Sequence, residues 1–109
     1  MTIHQDLAAG RWNELTLMEQ LANIGSEVGR AARARSAGNE KRLERALDRA
    51  LELFDLTIAD ERWRGRLREI TRAREVVCDY LVGDNVYGSS PESLDAWFHP
   101  FAMAARRGR

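Results

Sequence analysis

One cysteine, two prolines, two histidines and a single lysine are all that the 109 residues contain of those types, and 17 basic residues set against 17 acidic ones leave no net charge. Each shortage removes a class of explanation. With Cys78 alone, no disulfide can close within the chain and no cysteine-based zinc cluster can form, which agrees with a reducing compartment. The histidines, His4 and His99, lie near opposite ends, and without a Glu-x-x-His pair the helical way of building a di-metal site is missing. Asp95 and His99 stand one helical turn apart, but Pro100 follows directly and spoils the spacing as a ligand pair. Neutrality means that no global field draws the chain onto nucleic acid, so any such surface has to be local. No stretch reaches the roughly 18 apolar residues of a membrane span, and Met1-Thr2-Ile3-His4-Gln5-Asp6 has neither the basic nor the apolar part of a secretory signal. A cytoplasmic protein with no membrane partner, no metal and no cofactor is expected.

What is present is hydrophobic content of 44% and charged content of 31%, enough apolar surface to offset the entropy of ordering one core. The length fits one domain, residues 1–109, with 1–15 as a lead-in and 106–109 as a basic tail. Sixteen of the 17 basic residues are arginine; a phosphate-binding role is one reading, and an arginine-for-lysine codon bias is the simpler one.

Apolar residues at Leu17, Leu21, Ile24, Val28 and Ala31 recur in steps of three and four and define one helical face. Thr16 followed by Glu19 is a capping box, which marks the start of this first helix, and Ala37-Gly38-Asn39 ends it and caps the next. A second helix over 40–59 carries Leu43, Ala46, Leu47, Ala50, Leu51, Phe54 and Ile58 on its buried side. After a break near Asp60, a third helix is expected with Trp63, Leu67, Ile70, Ala73, Val77, Tyr80 and Leu81 inward, ending at Gly83 before a turn-rich loop. Ser90-Pro91 opens a fourth, short helix through Trp97 that Pro100 kinks or restarts. Trp12, in the lead-in, is expected to pack on the rest. The fold class is therefore all-α, an antiparallel up-and-down four-helix bundle with a short, proline-kinked fourth helix. Leu21, Ile24, Val28, Leu47, Leu51, Phe54, Leu67, Ile70 and Val77 supply its core.

Two faces stand out. Ala22, Gly25, Gly29 and Ala32 form a stripe of small residues on the first helix, and because each glycine costs a helix about 1 kcal/mol relative to alanine, close approach of another helix should repay them. That helix belongs either to the same chain or to a second copy. The second face is arginine-rich: Arg62, Arg64, Arg66, Arg68, Arg72 and Arg74 against the single acid Glu69. Arg64, Arg68 and Arg72 recur every four residues, near one line that can track phosphates. The alternative is a solvated face paired with Glu44, Asp48 and Glu52 of the neighbouring helix.

The run from Glu19 to Ala31, with its continuation to Leu47-Asp48, resembles the first helix pair of the all-α nucleoside-triphosphate pyrophosphatases. That family holds magnesium with a Glu-x-x-Glu on one helix and a Glu-x-x-Asp on the next. Glu27 and Asp48 match two of those four carboxylates, but Arg30 and Arg45 stand at the other two, and an arginine cannot ligate a cation. The resemblance therefore implies a diverged nucleotide-binding relative without an intact hydrolytic site. The segments 3–12, 19–28 and 49–60 also resemble a group of uncharacterised bacterial four-helix proteins. Their layout is similar to that of the helical proteins encoded in ribosomal-RNA intervening sequences, some of which form rings.

No complete catalytic set is readable, so the expected function is that of a non-enzymatic helical interaction module that self-associates into a homo-oligomer, or meets another protein, through Ala22, Gly25, Gly29 and Ala32. The alternatives are a nucleic-acid accessory protein using Arg64, Arg68 and Arg72, and the diverged nucleotide binder around Glu27 and Asp48.

Overall fold

A computed structural model of the chain describes residues 10–107; His4 and most of the lead-in lie outside them, as does the end of the basic tail. The described chain is all-helical. A short 3-10 turn, Trp12–Glu14, is followed by four helices: α1 (Leu17–Ser36), α2 (Glu40–Ala59), α3 (Leu67–Val82) and α4 (Pro91–Arg107), with a second 3-10 segment, Glu61–Arg66, between α2 and α3. α1 packs along both α2 and α4, and α3 rests on α2.

The helix ends follow from capping chemistry. Thr16 Oγ1 accepts from the Glu19 amide at 3.1 Å while the Glu19 carboxylate accepts from the Thr16 amide at 2.9 Å, which satisfies two of the donors that a helix start leaves bare. At the far end of α1 the Asn39 amide reaches back to the Ala34 carbonyl and the Gly38 amide to that of Arg35. This is a Schellman closure, and it requires the left-handed backbone that Gly38 adopts at φ +70°. The Asn39 side chain then accepts from the Arg42 amide and starts α2. Ser90 caps α4 by accepting from the Ser93 amide, with Pro91 at the first helical position, where a missing N–H costs nothing.

The core gathers Trp12, Leu21, Ile24, Val28, Leu47, Phe54, Ile70 and Val77, with Leu94 and Phe98 from α4. Leu51 is only half-buried against it, and Leu67 is half-buried at the start of α3; Leu53 and Thr57 of α2 are buried instead.

Two expected boundaries are corrected. α4 is not short: it runs unbroken across Pro100 to Arg107. The proline removes one amide bond to the Ala96 carbonyl, but both residues are exposed, so water can take the freed carbonyl. Trp97, Phe98 and Phe101, with ring centroids 4.8 and 5.0 Å apart about Trp97, tie the residues on either side of it together. The third helix does not begin at the Asp60 break. Trp63 (φ −103°, ψ 19°) and Arg66 (φ −113°, ψ 9°) leave helical geometry, and α3 proper starts at Leu67.

Candidate anion-binding groove

Three residues join α1 to α2, and the two helices pack on one another. Arg30 and Arg33 on α1 face Arg42, Arg45 and Arg49 on α2 across a groove of about 600 Å³, whose floor is Ala34, Ala37 and Ala46. Small side chains make the floor and long cationic ones the walls, so a ligand can approach the helices closely while guanidinium groups reach it from both sides.

One carboxylate ties two of these arginines together. Glu27, whose side chain is only 10% exposed, accepts from Arg30 Nη1 at 2.6 Å and from Arg49 Nε at 2.9 Å. A buried carboxylate needs such partners, and here it neutralises one of the five arginines. Arg33, Arg42 and Arg45 make no ion pair with any described residue. No acid lines the groove.

The residues singled out in the sequence fall elsewhere. Arg64 lies in the 3-10 segment rather than on α3, so Arg64, Arg68 and Arg72 do not form one helical line. Arg64 pairs with Glu61 at 3.4 Å and Arg72 with Glu75 at 3.6 Å, both pairs well exposed, while Arg72 also lies 5.8 Å from the Tyr87 ring. Arg68 is exposed beside Arg72 in a shallow hollow. The acids that meet this region are Asp55, Asp60, Glu61, Glu69 and Glu75, not Glu44, Asp48 and Glu52.

The small-residue stripe faces α4 of the same chain. A Cβ at Gly25 would stand 2.8 Å from Phe98 Cβ and 2.9 Å from its Cγ, so that glycine lets α1 and α4 approach closely. Ala22, Gly25 and Gly29 line the seam beside Phe98, and Ala32 is buried. The surface expected to hold a second copy is occupied by α4 at Gly25.

Glu27 and Asp48 do not come together as a cation site. Glu27 is committed to two arginines and Asp48 is exposed. Among the described residues no group of three His, Cys, Asp or Glu is placed to hold a metal.

A second polar cluster was not read from the sequence. Gln20, fully buried, donates to the Trp12 carbonyl at 2.9 Å and to Asp60 Oδ2 at 3.3 Å, and accepts from the Trp63 indole at 3.0 Å. The Trp12 indole donates to Thr57 at 3.2 Å. Asp60 closes the cluster on Arg62, which lies 2.6 Å away and also reaches the Leu15 carbonyl. The Arg62 hydrogen bonds hold the Asp60 carboxyl below its ordinary range, against the opposing effect of burial. Every polar group here is spent on another, so the cluster clasps the lead-in to the α2 end and offers nothing to a ligand. Burial pushes the Cys78 thiol up, away from the reactive thiolate.

Fold and groove together define an all-helical chain with a concave arginine-lined surface on its first helix pair. No family model matches the chain, and no curated protein or solved structure matches it.

Proposed function

We propose that this chain is a non-enzymatic helical module that binds phosphate groups, acting as an accessory to nucleotides or nucleic acid, with the α1–α2 groove as its contact surface. The observation that carries the reading is the set Arg30, Arg33, Arg42, Arg45 and Arg49 around one groove with Glu27 as the single neutralising carboxylate. Clustering like charges costs free energy in the absence of a counter-charge, and guanidinium forks match phosphate oxygens in pairs. The arrangement rests on α1 and α2 running antiparallel, as the first pair of an up-and-down bundle; Glu27 and Arg49, equally far from Gly38 along the chain and 2.9 Å apart, support that pairing.

Thermal unfolding in tripolyphosphate tests the reading. A ligand that binds only the folded state stabilises it by about 2.7 kcal/mol at a hundred times its Kd, so the melting temperature of the wild-type chain rises by several degrees. The Arg33→Ala/Arg42→Ala/Arg45→Ala variant, which removes three exposed arginines, shows little rise. Equal rises in both proteins reject the groove as the site.

A further inference from the structure

The arginine surface does not end with the α1–α2 groove. On its other side α1 forms a second groove with α4, and Arg30 and Arg33 line both. Arg106, in the last turn of α4, stands at the far wall of this second groove, with Ser26 and His99 along it and Asp95 as its one acid. Six arginines on three helices thus form one band, with Arg30 and Arg33 on the central helix shared between the grooves.

The chemistry of the band narrows its occupant. A single phosphate or a nucleoside triphosphate would be met by one groove, leaving Arg106 unused. The first groove contains no aromatic side chain, and in the second Phe98 is buried against Gly25 and only His99 is exposed. Sequence-tolerant binding of single strands relies on aromatic faces on which unpaired bases stack. A band of arginines without such faces suits a ligand that presents phosphates and keeps its bases to itself. Resting on the phosphate reading above, we infer that the ligand is the phosphodiester backbone of a duplex nucleic acid, laid across α2, α1 and α4 and read without base contacts.

Fluorescence anisotropy with a DNA duplex, an RNA duplex of the same length, the matching single strands and ATP tests this, each titrated across salt concentrations. The two duplex arms decide which nucleic acid supplies the backbone. Duplexes bind more tightly than single strands or ATP, and log affinity falls linearly with log salt, the slope shrinking by roughly 0.9 for each phosphate-contacting arginine removed. Arg45→Ala weakens every phosphate ligand, at least about threefold at moderate salt. Arg106→Ala weakens the duplexes and leaves ATP binding unchanged. Arg64→Ala, outside the band, changes nothing. Circular dichroism melts confirm that each variant folds, which exposed arginines permit.

If Arg45→Ala weakens binding while Arg106→Ala does not, the phosphate groove stands and the duplex is refuted. Single strands or ATP binding as tightly as duplexes also refute it. If neither substitution matters, both readings fall, and loss with Arg64→Ala moves the site to the segment before α3.

Discussion

Gly25 and Gly29 occupy the same face of α1 one turn apart, yet alanine is expected to have opposite effects at the two positions. At Gly29 an added Cβ meets only the mobile tip of Arg33, at 3.4 Å. Alanine there recovers the helix propensity that glycine gives up, a gain of about 0.5–1 kcal/mol. At Gly25 the same atom lands 2.8 Å from Phe98 Cβ. That neighbour is fixed by the α4 backbone, so no rotamer change relieves the contact and the helix itself has to retreat. Forcing an extra carbon into a packed core costs about 1–3 kcal/mol, which cancels or exceeds the propensity gain. The two variants should therefore differ by about 1–3 kcal/mol, and at about 4–8 °C per kcal/mol for a domain near this size the gap is readable in a thermal melt followed at a helical circular dichroism band. Gly25→Ala melting at or above Gly29→Ala would refute the α1–α4 contact. Sedimentation of the bulkier Gly25→Leu separates this packing from self-association: a reduced molar mass with an unchanged melting temperature would return the stripe to a contact between copies.

Two further outcomes follow from the buried carboxylates. Asp60 is held below the ordinary aspartate value of 3.8 in the folded chain, so its contribution is complete above that value and drains away as pH falls through the lowered folded value. Asp60→Asn should destabilise by about 1–2 kcal/mol near neutrality, a figure kept low by the exposure of Arg62; urea midpoints should show the gap narrowing as pH falls below the ordinary aspartate range, and a gap that widens there would contradict the assignment. Glu27→Gln removes a negative charge from beneath the groove while keeping an acceptor for one arginine. At an effective dielectric of about 20, one unit charge acting on another across several ångströms is worth on the order of 2 kcal/mol, more than the roughly 0.5–1.5 kcal/mol of ordering lost with one freed side chain. Tripolyphosphate should bind the variant more tightly, and weaker binding would mean that Glu27 acts by holding Arg30 and Arg49 in place.

Local chemistry was legible in the sequence wherever it decided the outcome. Thr16 and Glu19 announce the start of α1, Gly38 and Asn39 the turn into α2, and Ser90-Pro91 the start of α4, because caps and left-handed glycines are requirements that only a few residues meet. The apolar period placed seven of the nine expected core residues in the buried core. It failed at the start of α3, where Trp63 and Leu67 fit a helical period but Asp60 captures the Arg62 amide and the Trp63 indole turns to Gln20. That partner lies 43 residues away, and no local pattern contains it. Pro100 misled for the opposite reason: its local penalty of about 3 kcal/mol is read from the sequence, but the exposure of Ala96 to water and the contacts of Trp97 with Phe98 and Phe101 across it are not.

The groove was hidden by the way its residues were grouped. Arg30 and Arg45 drew notice only as misfits in a carboxylate pattern, while Arg33, Arg42 and Arg49 drew none, since each helix taken alone mixes both charge signs. The signal lies in their distances from the turn. In a helical hairpin, residues equally far from the connection stand near one another; Glu27 and Arg49, equally far from Gly38, meet at 2.9 Å, and Arg30 and Arg33 on one helix and Arg42 and Arg45 on the other fall between that pair and the turn. Glu40, Glu44 and Asp48 lie nearer the turn but do not line the groove, and Arg33, Arg42 and Arg45 are left without ion-pair partners among the described residues. A neutral chain can therefore carry a locally cationic surface, because several of its 17 acids pair elsewhere: Asp60, Glu61, Glu69 and Glu75 on the arginines around α3, and Asp55 on Arg74. Around α3, where arginines are densest in the sequence, Arg62, Arg64, Arg66, Arg72 and Arg74 are already paired, whereas Arg33, Arg42 and Arg45 are spread along the chain and meet only when it folds.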